Sequence, residues 1–279
     1  MNRVNSSRRL LQHNADAHDQ VATAYDAKHT EIYNPIEQAR LGKVIDDLLG
    51  LAGVTAPAVF DFGAGTGNLS LKFLARGARV TAADVSPRSL DLLTRKAKEH
   101  GEVSAMLLEG DRIPSADATF DAVAAYSVLH HVPDYLLAVR EMARILRPGG
   151  LLYIDHEANE AAWQSDSNLA EYRGRTKLSF SKHVQQLIRT RELFTFGFAK
   201  TVFMKALINR RYEREGDLHV WPDDHIEWDK IIAVLEEAGI SIVRSGDYLL
   251  YQPRGGLALY RRYCDVCTDT RYVFGQKLR

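Results

Sequence analysis

The segment Val59 to Ser70, VFDFGAGTGNLS, sets Gly63, Gly65 and Gly67 at alternate positions between an apolar run and a helix-forming stretch. Glycine in such a turn lets the backbone bend tightly and lets a ligand approach without a Cβ in the way. The spacing differs from the G-x-G-x-x-G of dinucleotide sites, because residue 68 is Asn. A βα turn that merely favours glycine would look the same, so the acids around it matter. Asp61 precedes the first glycine, where a carboxylate suits a cationic ligand and repels a pyrophosphate. Asp84 ends the next β-rich run, where a carboxylate can accept both hydroxyls of a ribose. Asp111, in LLEGD, can accept from an adenine amino group.

Groups able to move a proton cluster further along. His130 and His131 follow SVL, and Asp155, His156 and Glu157 follow LLYI. Histidine changes protonation near neutral pH, which suits a general base; each of these three histidines could equally be scaffold. DHE at 155–157 and DDH at 223–225 collect possible metal ligands, but neither matches a zinc spacing and no metal is expected. Asp223 and Asp224 read instead as an N-cap and a first-turn acid. Cys264 and Cys267 form a lone C-x-x-C, read as two ordinary thiols.

The elements that must position these groups alternate. Apolar residues at three- and four-residue steps predict helix over Asp16 to Leu51, ended by Gly50 and Gly53. Strands are expected at Ala58 to Phe62, Arg79 to Asp84, Val103 to Leu108, Phe120 to Tyr126 and Leu151 to Asp155. Helices are expected between them at Leu69 to Arg76, Pro87 to His100 and Asp134 to Leu146. Strands joined by helices of this length give right-handed crossovers and a parallel sheet. After Asp155 the pattern breaks for about 70 residues. It resumes with a helix at Trp228 to Ala238 and closing strands near Ile240 to Val243 and Gly256 to Tyr263. The prediction is an α/β doubly wound, mostly parallel seven-stranded sheet, whose ligand lies at the carboxyl ends of the strands.

Composition narrows the classes. The 279 residues carry 36 Lys plus Arg against 36 Asp plus Glu, a formal net charge of zero. That balance speaks against a wide basic face for nucleic acid. No run approaches the 18 apolar residues of a membrane span, and the polar start lacks a signal-peptide core. Two cysteines make no disulfide framework, so a reducing cytoplasm is the expected location.

The motifs DFGAGTG (Asp61 to Gly67), ADVS (Ala83 to Ser86), GD (Gly110, Asp111), FDAVAAYSVLHHVPD (Phe120 to Asp134) and ILRPGG (Ile145 to Gly150) stand in one order over about half the chain. In this order they resemble the class I S-adenosylmethionine-dependent methyltransferases, in particular the group of ubiquinone and menaquinone biosynthesis and small-molecule methyltransferases. The resemblance implies a Rossmann-like methyltransferase fold with S-adenosyl-L-methionine as cofactor. It implies that Gly63, Ala64, Gly65 and Gly67 pass under the methionine portion, with Asp61 close by. It implies further that Asp84 takes the ribose, Val85 packs on the adenine, and Asp111 with Arg112 flanks its edge. Tyr126 and Ser127 would line the site of the sulfonium methyl. Tyr25 resembles an N-terminal lid tyrosine, Tyr33 is a weaker lid candidate, and Arg40 would pair with the cofactor carboxylate.

The chain then divides into an N-terminal helical lid region (1–52), a catalytic domain (53–156 and 226–279) and an inserted cap after strand five (157–225) rich in aromatic residues. The expected activity is in-line methyl transfer to O or N of a small, partly apolar acceptor, with His130, His131 or His156 as the base. Neither nucleic acid nor a membrane span is expected, and the oligomeric state is left open. A protein of this fold that binds the cofactor but catalyses another reaction, such as a cyclisation, or only regulates, is the alternative.

Overall fold

The computed structural model describes residues 15, 16, 18, 19, 22, 25–110, 112–176 and 226–279. Its frame is a seven-stranded sheet: β1 (Ala58–Phe62), β2 (Arg79–Asp84), β3 (Val103–Leu107), β4 (Phe120–Tyr126), β5 (Leu146–Ala158), β6 (Ile240–Tyr248) and β7 (Thr270–Lys277). The order is β3-β2-β1-β4-β5-β7-β6, parallel as far as β5, with β7 antiparallel to both β5 and β6. The order reverses between β1 and β4, and open α/β sheets hold ligands outside the carboxyl ends at such a point.

Around the sheet lie α1 (Tyr25–Lys28), α2 (Pro35–Ala52), α3 (Ser70–Leu74), α4 (Pro87–Ala97), α5 (Tyr135–Ile145), α6 (Ser167–Thr176), α7 (Trp228–Glu237) and α8 (Gly256–Tyr263). Alternation along the strands makes two apolar layers. Phe60, Val123, Ala125 and Ile154 face α5 and α7, where Val139, Met142, Trp228 and Ile231 pack. Val59, Val80, Ala122 and Tyr153 face the other way, against Leu41, Ile45 and Leu48 of α2, Phe73 of α3 and Leu93 of α4. The central strands are buried on both faces and read as nearly unbroken apolar runs, as parallel strands do.

Two expected elements differ. The long N-terminal helix is broken at 29–34: the Asn34 side chain accepts from the backbone N–H groups of Ile36 and Glu37, and Pro35 occupies the first helical turn. Proline at that point starts a helix well but disfavours helix in the residue before it. Gly53, at φ 61°, closes α2. The second difference is at the C-terminus, where 256–263 is a helix and the closing strand is Thr270–Lys277. Leu259, Tyr260, Tyr263 and Cys267, at helical spacing, pack with Leu169 and Tyr172 of α6 in a small separate core. The burial of Cys267 there raises its thiol to about 11, far from a thiolate at neutral pH.

Of the expected cap, residues 157–176 are described; Asp223, Asp224 and the aromatic run from Phe180 to Trp221 lie outside the described residues, as does Asp111. Among the described residues no helix is long and apolar enough to cross a membrane, and no group of three or more His, Cys, Asp or Glu is arranged to hold a metal.

Candidate active site

The glycine turn leaves β1 and passes beneath a cleft. Gly63 and Ala64 donate their N–H groups to the Ala83 carbonyl at 2.8 and 2.9 Å, which stitches the turn to β2. Gly63 has φ 69°, and a Cβ there would lie 2.2 Å from Cγ2 of Val128, so the residue is fixed by both backbone and neighbour. Gly65 differs: its φ is 51°, and a Cβ would meet nothing within 4 Å. Open space above a left-handed glycine is where a ligand can lie against the backbone. Gly67 packs against Leu71 and Leu93 rather than facing the cleft.

Asp84 borders that space. One carboxylate oxygen accepts from Gly65 N–H at 2.8 Å and the other from Ser86 N–H at 2.8 Å. Each oxygen keeps a lone pair for a ligand hydroxyl. Burial pushes the Asp84 carboxyl above its ordinary value, opposed by His18 and by the backbone donors.

The cleft, counted with the solvent at its mouth, encloses roughly 1220 Å³ of empty space. Of the expected cofactor residues, Tyr25, Gly63, Ala64, Gly65, Asp84, Val85, Arg112, Tyr126 and Ser127 line it, with apolar walls from Leu108 and Ile113. Tyr25 and Tyr33 arrive from the N-terminal segment with ring centroids 6.4 Å apart. That segment is fastened to the turn: Asp26 accepts from Thr66 Oγ1 at 2.6 Å and from Lys96 Nζ at 2.6 Å.

Besides Gly67, two more of the expected cofactor residues do not reach the cleft. Asp61 is 1% exposed and accepts from Ser70 Oγ at 2.5 Å, behind the turn. Arg40 binds Glu37 at 2.6 Å, Asp155 at 2.6 Å and the Tyr248 hydroxyl at 3.0 Å, and stacks on the Tyr248 ring. Asp155 also accepts from Tyr153, and Glu37 from Tyr126. Arg40 therefore neutralises buried protein carboxylates; it is not placed to pair with a cofactor carboxylate. A group that sequence reasoning passed over is Asn68, which lines the cleft near Tyr33. Its only signal was its position at the end of the glycine turn.

Beyond Ser127 a second chamber opens, sharing Tyr25, Ile32, Ser127 and His131 with the first. His130, His131 and His156 all line it, together with Tyr172 and Arg173 of α6. His130 Nδ1 lies 2.8 Å from Glu157 Oε2. The other Glu157 oxygen accepts from the N–H groups of Val128 at 2.8 Å and Leu129 at 2.7 Å. A buried carboxylate in that position orients the imidazole with its proton on Nδ1 and the lone pair on Nε2. His156 is set by a register shift in β5 and a φ of 62°, its ring 4.7 Å from that of Tyr126. Bulges of this kind re-aim side chains beside sites.

The residues present fit S-adenosylmethionine: a carboxylate for the ribose, apolar walls for the base, an open glycine, and aromatic rings where a sulfonium would gain cation–π attraction.

Comparison with known proteins agrees with this geometry. Residues 60–154 match a methyltransferase domain family. The chain is 31% identical over 136 residues to a demethylmenaquinone methyltransferase from Tropheryma whipplei, covering 49% of this chain and 55% of that one. It is 34% identical to a ubiquinone biosynthesis O-methyltransferase from Xanthomonas oryzae, covering 52% and 61%. The chain thus spans little more than half the length of these relatives. A methyltransferase structure from Methanosarcina mazei shares the fold at 16% identity, with a TM-score of 0.53 over 84% of this chain and 97% of that one. The cyclase SpnF does so at 17% identity, with a TM-score of 0.51 over 85% and 80%. Residues 60–154 thus match a methyltransferase domain family, and the chain resembles methyltransferases in both sequence and fold.

Proposed function

We propose that this chain binds S-adenosylmethionine in the first cleft and transfers its methyl group to an O or N atom of a small, partly apolar acceptor in the second chamber. The observation that carries the reading is Asp84, anchored by two backbone N–H groups beside the open space over Gly65 and connected through Ser127 to a chamber lined by a His–Glu pair. When bound, the cofactor supplies an electrophilic methyl on a sulfonium.

The chain's own work is alignment, exclusion of water and proton removal. Asp84 fixes the ribose, and Val85, Leu108 and Ile113 shield the base. Tyr25, Ile32 and Tyr33 cover the cleft from the lid side. His130 takes the proton of an acceptor hydroxyl, with Glu157 stabilising the imidazolium that results. His131 and His156 serve as walls of the acceptor chamber, with Tyr172 and Arg173 of α6 closing its far side.

The test is incubation with methyl-labelled S-adenosylmethionine and a panel of small hydroxyl and amine acceptors. Label should leave the cofactor and appear in an acceptor. General base removal lowers such rates by roughly 10²–10⁴-fold, so His130→Ala should cut transfer to hydroxyls by that order, and Glu157→Gln by less, with cofactor affinity unchanged. Label that stays on the cofactor with every acceptor, while another reaction is accelerated, would favour a cyclase-like activity instead.

A further inference from the structure

The second chamber has one wall of imidazoles near Ser127 and another built by α6 and the segment 250–252. Tyr172 joins the two parts of that far wall: its hydroxyl accepts from Gln252 N–H at 2.9 Å and donates to the Leu250 carbonyl at 2.9 Å. Arg173, the next residue of α6, is the only Lys or Arg among the described residues that line the chamber. Its side chain is 43% exposed. A guanidinium carries five N–H groups, and here the Ala162 carbonyl takes one of them, at 3.1 Å. Asp269 lies 3.5 Å from Nη2, near enough to hold the guanidinium by charge but without a hydrogen bond to it. The Asp269 carboxylate accepts instead from Leu250 N–H at 2.8 Å and Thr270 Oγ1 at 3.0 Å. Gln252 lines the same chamber, half-buried, and its side-chain amide bonds to nothing among the described residues.

The open capacity of this wall is chiefly for donating, and it sits on a fixed positive charge. A guanidinium stays charged near neutral pH, and its planar fork matches a carboxylate with two parallel hydrogen bonds. Because these donors are exposed to the chamber, solvent satisfies them until an acceptor group replaces it. The two carboxylates in the lining are already engaged: Asp269 as above, and Glu31 with His29 Nδ1 at 2.9 Å. The wall therefore selects an anionic group over an ammonium.

We infer that the acceptor carries a carboxylate, which Arg173 binds together with Gln252 at the far wall while the nucleophilic hydroxyl stands at His130. The inference rests on the proposal that this chamber takes the methyl acceptor, and it narrows that acceptor to a small hydroxylated carboxylic acid with an apolar body. Tyr25, Ile32 and Ala158 offer that body a surface in the same chamber.

The test uses methyl-labelled S-adenosylmethionine and hydroxylated aryl acids of increasing length (hydroxybenzoates, hydroxyphenylacetates and hydroxycinnamates), each beside its carboxamide and an amine of matching length. The best acid should be methylated with a kcat/KM at least about ten-fold above its carboxamide, the size of one charge-assisted interaction, and the amine should be the poorest of the three. Arg173→Gln should raise KM for that acid by about ten-fold with kcat little changed, and should leave the carboxamide as it was. Arg173→Lys should keep part of the preference, and S-adenosylhomocysteine should bind all three proteins alike, which reports an intact fold. Carboxamides or amines that match or exceed the acids would overturn the inference, and so would an Arg173→Gln variant that loses acid and carboxamide equally. No transfer to any compound by protein that binds S-adenosylhomocysteine would instead overturn the reading of the second chamber.

Discussion

At residue scale, the turn works because each glycine has a different reason to be one. At Gly63 a Cβ would strike Val128 and the backbone is left-handed. Gly63→Ala should therefore cost roughly 2–5 kcal/mol, combining overpacking with the left-handed penalty. Thermal unfolding should show a lower midpoint, part of it recovered by adding Val128→Ala. Asp61 offers a pH test. Burial pushes its carboxyl up to about 7, restrained by the Ser70 hydrogen bonds and added to by Asp84. An unfolded Asp titrates near 3.9. Between those values the folded chain holds more protons than the unfolded chain, so the group's contribution falls as pH rises from about 4 to about 7. Asp61→Asn should flatten that slope, gaining stability relative to wild type at pH 8 compared with pH 5 in urea titrations; an equal difference at both pH values would refute the assignment. The place of Asp84 at the cleft was legible in the sequence because it depends on a local feature, the end of a strand. Arg40 was not, because its partners Asp155 and Tyr248 stand 115 and 208 residues away.

At the scale of elements, strand and helix positions that depend on periodicity and on local punctuation could be read from sequence. Asp134 caps α5 by accepting from Leu137 N–H, and Ser86 caps α4 by accepting from Ser89 N–H, each directly before its helix. The break at 29–34 was readable from Asn34-Pro35 but is outweighed by the longer apolar repeat around it. Asn34→Ala removes the two capping bonds and the hold on Thr30 and Glu31 carbonyls. A lost cap costs about 1 kcal/mol, and because α2 carries Glu37 and Gln38 toward the site, the variant should lower the unfolding midpoint and weaken S-adenosylhomocysteine modestly. The C-terminal exchange of a strand for a helix has a different origin. Residues 256–263 are drawn into helix by a small core shared with α6, a tertiary contact with no local signature. Thr270–Lys277 alternates weakly, yet it fills the slot between β5 and β6.

At the scale of the molecule, one sheet supplies both chambers. The β1 and β2 ends hold the turn and Asp84, while β4 and the bulged end of β5 hold Ser127, His130 and Glu157. The two chambers meet at Ser127 and His131, past the end of β4, so under the proposed function a cofactor in the first would face an acceptor in the second. The buried acids Asp155 and Glu37 are met by the half-buried Arg40. Under the proposed function Asp84 holds the ribose of S-adenosylmethionine, and titration of S-adenosylhomocysteine into wild type and Asp84→Ala checks this. Hydrogen bonds to a charged group are worth roughly 1.5–3 kcal/mol, so binding to wild type should be saturable and binding to the variant weaker by at least about ten-fold. Equal affinity in the two proteins, or no binding to wild type, would contradict it.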